Sequence, residues 1–167
     1  MDVRFATAAD ALAIESIRVR GWRRAYRHVF PPADLDAMPV DESRWVERLV
    51  EPPGGWAILV AARDDEVVGF AALGPSRDAE RAGELYAIYV DPDAWSTGAG
   101  RALLRRAEEL LAMTYNEATL WVLEHNPRAR RFYEAFGWTD DGGRQTFERF
   151  GVRAPELRYR QRLVPDT

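Results

Sequence analysis

The sequence predicts an α/β (α+β) fold, a mixed sheet flanked by helices, in a single domain spanning residues 1–167. Three observations predict it. Strand-like stretches dominate the chain, and two well-marked helices in its second half read as crossovers. The strand–helix–strand unit over residues 85–123 implies a right-handed parallel crossover. With 167 residues, 47% hydrophobic and 30% charged, the chain has a globular composition and enough length to bury a core without a staple.

Each element has a local reason. Residues 3–6 read as a short opening strand. Thr7, with Asp10 three residues on, marks a helix start of the capping-box type, Asp replacing Glu or Gln. That helix runs to about Tyr26 and carries two apolar stripes: Ile14, Ile17, Gly21 and Ala25, then Leu12, Val19, Trp22 and Tyr26. A surface helix needs one stripe. Two imply contact with two things, such as a sheet and a second helix or a ligand. Pro31-Pro32 breaks the helix, short helical stretches follow at 33–38 and 41–50, and Pro52-Pro53-Gly54-Gly55 is a hard stop. Residues 56–62 and 67–73, joined by Asp64-Asp65, read as a β-hairpin. A polar loop at 74–82 leads to a strand at 85–90, closed by Asp91-Pro92-Asp93. The glycine-bearing loop Trp95-Ser96-Thr97-Gly98-Ala99-Gly100 precedes a helix over 101–113 and a strand over 119–123. Asn126-Pro127 opens a helix that ends at Phe136-Gly137. Strands at about 145–150 and 156–163 close the chain.

Composition removes several function classes. The 23 basic residues are all Arg and are outweighed by 27 acidic ones, so the net charge is −4. A nucleic-acid binder usually shows a basic balance, so no nucleic-acid partner is expected. Cys is absent, which removes disulfides, thiol nucleophiles and thiolate metal sites together. Two histidines, His28 and His125, are too few for a multi-histidine metal site, and no metal is expected. The longest apolar run, residues 56–62, is far below the ~18 needed to span a membrane. Met1-Asp2-Val3-Arg4 lacks the apolar stretch of a secretory signal. The expectation is a cytoplasmic protein with no membrane partner, while exposed strands near the C-terminus would suit a homodimer.

The segment richest in chemistry is the strand at 85–90 leading through Gly98-Ala99-Gly100 into a helix. A helix N-terminus carries unpaired N–H groups and the positive end of the helix dipole, which together favour a phosphate. Gly98 and Gly100 would let a ligand reach the backbone, and Ser96 and Thr97 could add hydroxyl donors. The same residues also suit a tight turn with no ligand. A dinucleotide loop would want a third Gly where Leu103 stands, and a triphosphate loop would want a Lys, which the chain lacks.

In order, these pieces resemble the GNAT superfamily of N-acetyltransferases over nearly the whole chain. The resemblance includes Trp22-Arg23-Arg24-Ala25-Tyr26, the Asp64-Asp65 hairpin with Val67-Val68-Gly69, and Glu84 to Val90 before Asp91-Pro92. It continues through the glycine loop, Asn126-Pro127-Arg128-Ala129, Phe132-Tyr133, Phe136-Gly137-Trp138 and Glu156-Leu157-Arg158-Tyr159. It implies a mostly antiparallel sheet whose strands 85–90 and 119–123 are parallel neighbours, splayed to admit acetyl-CoA. The family's loop usually opens on Gln or Arg three residues before its first Gly; this chain has Trp95 there. Backbone donors hold the pyrophosphate, so binding is expected to survive that change.

The resemblance also implies roles. Ile88, Tyr89 and Val90 would offer backbone groups to the pantetheine arm. Ser96, Thr97, Gly98, Ala99, Gly100 and Arg101 would hold the pyrophosphate. Asn126 would bond the cofactor, with Ala129 and Phe132 packed against it. Tyr133 would protonate the departing thiolate, although its ring could equally be core. Glu84 is the first choice of base, with a solvated strand-end carboxylate as the alternative and Glu124 the other nearby carboxylate. Trp22, Tyr26 and Trp45 could line an acceptor pocket or serve as core. Arg101, Arg105 and Arg106 could attract phosphates or form a solvated face with Glu108 and Glu109. The expected activity is acetyl transfer from acetyl-CoA to a primary amine, on a small molecule or a protein. Direct attack in a ternary complex is expected, because no Cys can carry an acyl group. The alternative is a non-catalytic acyl-CoA-binding sensor on the same fold.

Overall fold

A computed structural model describes residues 1–163. Seven strands form one sheet in the order β1-β2-β3-β4-β5-β7-β6. They are β1 (Asp2–Phe5), β2 (Ala57–Arg63), β3 (Glu66–Pro75), β4 (Gly83–Val90), β5 (Glu117–Leu123), β6 (Thr139–Arg149) and β7 (Val152–Arg162). The helices are α1 (Ala11–Ala25), α2 (Pro32–Asp36), α3 (Ser43–Val50), α4 (Ala99–Ala112) and α5 (Pro127–Ala135). The β4–β5 pair is parallel, and every other pairing is antiparallel. The fold is therefore the mixed, mostly antiparallel sheet that the sequence predicts.

Local signals set most element ends. The capping box forms, with the Thr7 N–H donating to Asp10 at 2.7 Å, and Arg4 closes on the same carboxylate. The Asp64-Asp65 turn has φ of 51° and 65°, the paired positive values of a type I′ hairpin turn. Asn126 caps α5 by accepting the Ala129 N–H, with Pro127 at the first turn. Gly137 leaves that helix with a φ of +92°.

Helix α4 covers one face of the sheet, and α1 with α3 covers the other. Leu103, Leu104, Ala107 and Leu111 of α4 pack on the face that carries Leu59, Leu120 and Leu157. The first stripe of α1, Ile14 and Ile17, packs on Ile58, Val60 and Phe70 of the opposite face, together with Trp45 of α3. Val19 and Tyr26 join Phe30, Leu35 and Met38 in a third cluster that reaches the end of β7. The second stripe is thus real, except at Leu12, which is exposed. Trp45 is core: its indole N–H donates to the buried Glu15 carboxylate at 2.7 Å.

Candidate active site

Strands β4 and β5 pair at two positions only, Gly83 with Ala118 and Glu84 with Thr119. The cause of their separation is a bulge in β4. Ala72 of β3 faces Ala87, but the next residue, Leu73, faces Leu85, so Tyr86 is an extra residue without a partner. A bulge bends its strand, and beyond Tyr86 the strand leaves β5. A cleft of about 1090 Å³ opens in the gap, walled by both faces of the sheet.

The peptide groups along β4 alternate in direction. The Asp91 N–H donates to Val68 O of β3, so residues 91 and 89 point their backbone at β3, and 90 and 88 point theirs into the gap. Ile88 and Val90 therefore face the cleft with their backbone. Tyr89 corrects the sequence reading: its peptide is turned to β3, and its side chain reaches the cleft instead. The Val90 carbonyl accepts the Trp95 indole N–H at 3.0 Å.

On the α4 face the cleft ends at the glycine loop. Ser96 and Gly98 have φ of +64° and +94°, which turn the chain into α4. The first bond inside α4 runs from the Ala102 N–H to Gly98 O, so Ala99, Gly100 and Arg101 have N–H groups with no partner within the helix. Gly98 adds no side-chain cap. A Cβ on Gly100 would lie 3.4 Å from the Phe132 ring, in ordinary contact, so only a larger side chain would crowd this end of the cleft. Ser96, Gly98, Gly100 and Arg101 line this end, with Ala129 and Phe132 opposite. Ala99 is buried in the core, and its side chain is off the wall. Thr97 is a further correction: its hydroxyl donates to Ala94 O at 2.6 Å, which spends its proton inside the loop. The Asn126 carbonyl oxygen is taken by the α5 cap, and its NH₂ group donates to the Tyr26 hydroxyl with one hydrogen, which leaves the second for another partner. Arg106 pairs with Glu109, as a solvated face would.

On the α1 face the wall is aromatic. The Trp22 indole donates to the Tyr89 hydroxyl at 3.0 Å, and Trp22 meets Tyr26 and Phe147 edge-on. Both Trp22 and Tyr26 line the cleft. Tyr133 sits at the gap. Burial, then the nearby Tyr89, pushes its hydroxyl well above the usual tyrosine range. Burial raises Tyr26 and Tyr89 as well. These phenols all stay protonated at neutral pH.

Glu84 is not on the cleft wall. It is fully buried, and its oxygens accept from the Arg77 backbone N–H and guanidinium. Its role is to hold the loop that carries Arg77, so the sequence reading of Glu84 as a base needs another carboxylate. Glu124 is at the surface beside His125. The carboxylate that does line the cleft is Glu156 of β7, opposite Leu123 and Gln145. A signal existed in the sequence: Leu157 and Tyr159 face the core, so Glu156 must face the other side. Among the described residues no cluster of His, Asp and Glu is arranged to hold a metal ion. No helix there is long and apolar enough to cross a membrane.

Known proteins share this architecture. The acetyltransferase (GNAT) family model matches residues 19–138. An uncharacterized N-acetyltransferase of Bacillus subtilis, YuaI, is 34% identical over 162 residues, covering 93% of this chain and 89% of the relative. The ribosomal-protein-alanine N-acetyltransferase from Brucella melitensis superposes with a TM-score of 0.75 at 25% identity, over 97% of this chain and 99% of that one. The PaiA N-acetyltransferase from Thermoplasma acidophilum, solved with coenzyme A, gives a TM-score of 0.75 at 17% identity, over 96% and 98% of the two chains. Family model, full-length relative and sheet topology converge, and the chain belongs to the acetyltransferase (GNAT) family as an acetyltransferase enzyme.

Proposed function

We propose that the protein transfers the acetyl group of acetyl-CoA directly to a primary amine in a ternary complex. One observation carries this reading: the β4–β5 gap joins an open helix N-terminus on one face of the sheet to an aromatic chamber on the other. Two substrates could thus meet end to end without sharing a chamber.

The residues present fit the cofactor. The free N–H groups at the start of α4 match a pyrophosphate. The outward peptide groups of Ile88 and Val90 match an extended amide arm as a sheet edge matches an added strand. The Asn126 NH₂ group can donate to the same arm, and Ala129 and Phe132 offer it an apolar surface. When bound, acetyl-CoA supplies an activated thioester carbonyl. A backbone N–H of the β4 edge polarises that carbonyl, and Tyr133 gives its proton to the sulfur as the C–S bond breaks.

Similar proteins are named for alanine on a ribosomal protein and for mycothiol, which supports keeping both protein and small-molecule acceptors in the test. The test is release of CoA thiol from acetyl-CoA with a panel of amines. Amine-dependent release supports transfer. Tight acetyl-CoA binding with no release for any amine would favour the sensor reading.

A further inference from the structure

The acceptor side of the cleft holds an unbalanced charge. Two carboxylates line the cleft, Asp78 and Glu156. Asp78 accepts the Trp121 indole N–H at 2.9 Å and has the Arg158 guanidinium 3.8 Å away. Glu156 has no cation within ion-pair distance among the described residues; one oxygen accepts from the neutral Gln145 amide at 2.9 Å. Arg77, the guanidinium on this stretch of wall, is held by Glu84. Around Glu156 the wall carries the rings of Trp22, Tyr26, Tyr89, Trp121 and Phe147. Aromatic faces attract cations, and a carboxylate in their midst adds a full countercharge.

Resting on the acetyl-transfer reading above, we infer that the acceptor is a cationic primary amine on an apolar stem with no carboxylate beside the amine, and that Glu156 receives its ammonium and takes up its proton. An α-amino acid is disfavoured by the same wall, because its carboxylate would face the Glu156 carboxylate. Protons and electrons balance. Glu156 takes one proton from R–NH₃⁺ and later releases it to solvent. The freed nitrogen lone pair forms the C–N bond as the C–S bond breaks, and the electron pair leaves with sulfur. Tyr133 protonates the sulfur and regains a proton from the acetylated nitrogen. Burial raises the Glu156 carboxyl above its usual range, against the Gln145 hydrogen bond, which brings it nearer to a working base. The charged and titratable groups around it are Arg77 and Asp78 from the loop before β4, and Glu84 and Tyr89 from β4 itself.

The test compares phenethylamine with phenylalanine, and hexylamine with 2-aminoheptanoate, by CoA thiol release. Each pair differs by one carboxylate. The expected kcat/KM ratio is at least about 10² in favour of the plain amine, the scale of an unpaired charge in a desolvated site. Glu156→Gln should raise KM for the amine about tenfold or more. It should also move the rising limb of the kcat/KM–pH profile toward the amine's own pKa, with acetyl-CoA affinity by calorimetry unchanged. Equal use of each pair, no turnover of either plain amine by an enzyme that binds acetyl-CoA, or an unmoved KM and pH profile in Glu156→Gln would overturn the inference. The wild-type comparison stands even if the variant fails to fold. Failure to bind acetyl-CoA at all would instead sink the underlying functional reading.

Discussion

The guanidinium carbon of Arg128 lies 3.6 Å from the centroid of the Trp95 ring, a close cation–π stack at the mouth of the glycine loop. Trp95 is fixed from its other end by the indole hydrogen bond to Val90 O. One residue thus ties the edge of β4 to a cation on α5. The stack holds a positive charge on the wall where the cofactor's phosphates are proposed to bind, at the loop position where the family usually has Gln or Arg. Arg128→Ala should weaken acetyl-CoA binding about tenfold, with a shallower salt dependence than the wild type. Trp95→Ala should lose at least as much, because it frees the Val90 carbonyl as well as the guanidinium. Calorimetry at two salt concentrations checks both; unchanged affinity in both variants would remove the stack from the binding site.

Gly98 and Gly100 should fail in opposite ways. A Cβ on Gly98 meets nothing within 4 Å, but its φ of +94° strains any L residue. Gly98→Ala should therefore cost about 1–2 kcal/mol of stability, roughly 2–6 °C in Tm for a chain of this size. Gly100 has no such φ, but side-chain atoms beyond Cβ would enter the cleft past Phe132. Gly100→Val should fold and lose acetyl-CoA binding. Thermal melts and cofactor titration of the two variants separate strain from occlusion.

Much of this was legible because it is local. The Gly98 turn, the Asn126-Pro127 cap and the Asp64-Asp65 hairpin are each written within a few residues. What escaped depends on neighbours far along the chain. Tyr86 reads as an ordinary strand residue; only its failure to pair with β3 makes it the bulge that opens the cleft. Glu84 looks free until the irregular loop before it brings Arg77 back onto its oxygens. Glu156 needs the insertion of β7 between β5 and β6, an order no local pattern specifies. The strand expected at about 145–150 is the second part of a longer β6, Thr139–Arg149, whose register with β7 shifts between Asp140 and Arg144.

Glu84→Gln tests the structural role given to that residue. Gln keeps the shape but turns an NH₂ group toward the Arg77 donors, where two acceptors stood. Hydrogen bonds to a charged acceptor are worth about 1.5–3 kcal/mol, and the exposed half of Arg77 can still reach water. A stability loss of about 1–3 kcal/mol is expected. Chemical denaturation measures it. Loss of turnover in a variant of unchanged stability would restore Glu84 as a catalytic candidate.

Glu108 gives a stability prediction away from the cleft. Burial raises its carboxyl above the usual range, although the Trp138 indole donates to it at 2.8 Å. A raised folded-state value means that the folded protein holds this proton more tightly than the unfolded chain. The contribution to stability is present below the ordinary carboxylate value and is lost as pH rises through the raised one. Glu108→Gln keeps an acceptor for Trp138 and never ionises. It should raise Tm by about 1–3 °C at pH 8 and show no gain at pH 3.5. A gain of the same size at both pH values would mean that ionisation is not the cause.

Tyr133→Phe isolates the proposed acid. The substitution removes one hydroxyl and keeps the ring contacts with Phe132 at 5.4 Å and Trp138 at 6.3 Å. That hydroxyl has no hydrogen-bond partner among the described residues, so its loss leaves no stranded donor, and the fold should be unaffected. Its raised value keeps it protonated through the whole neutral range, which suits a donor and excludes it as a base there. General acid catalysis is typically worth about 10²–10⁴-fold, and a thiolate is a fair leaving group, so turnover should fall by roughly one to three decades. Acetyl-CoA affinity should hardly change, because the hydroxyl acts only as the C–S bond breaks. The rising limb of the pH profile should stay where it is, since Tyr133 does not titrate there. Single-turnover thiol release with acetyl-CoA titration in parallel reads all three quantities. Full turnover in Tyr133→Phe would pass the proton to solvent, and a fall in affinity matching the fall in rate would make Tyr133 a binding residue.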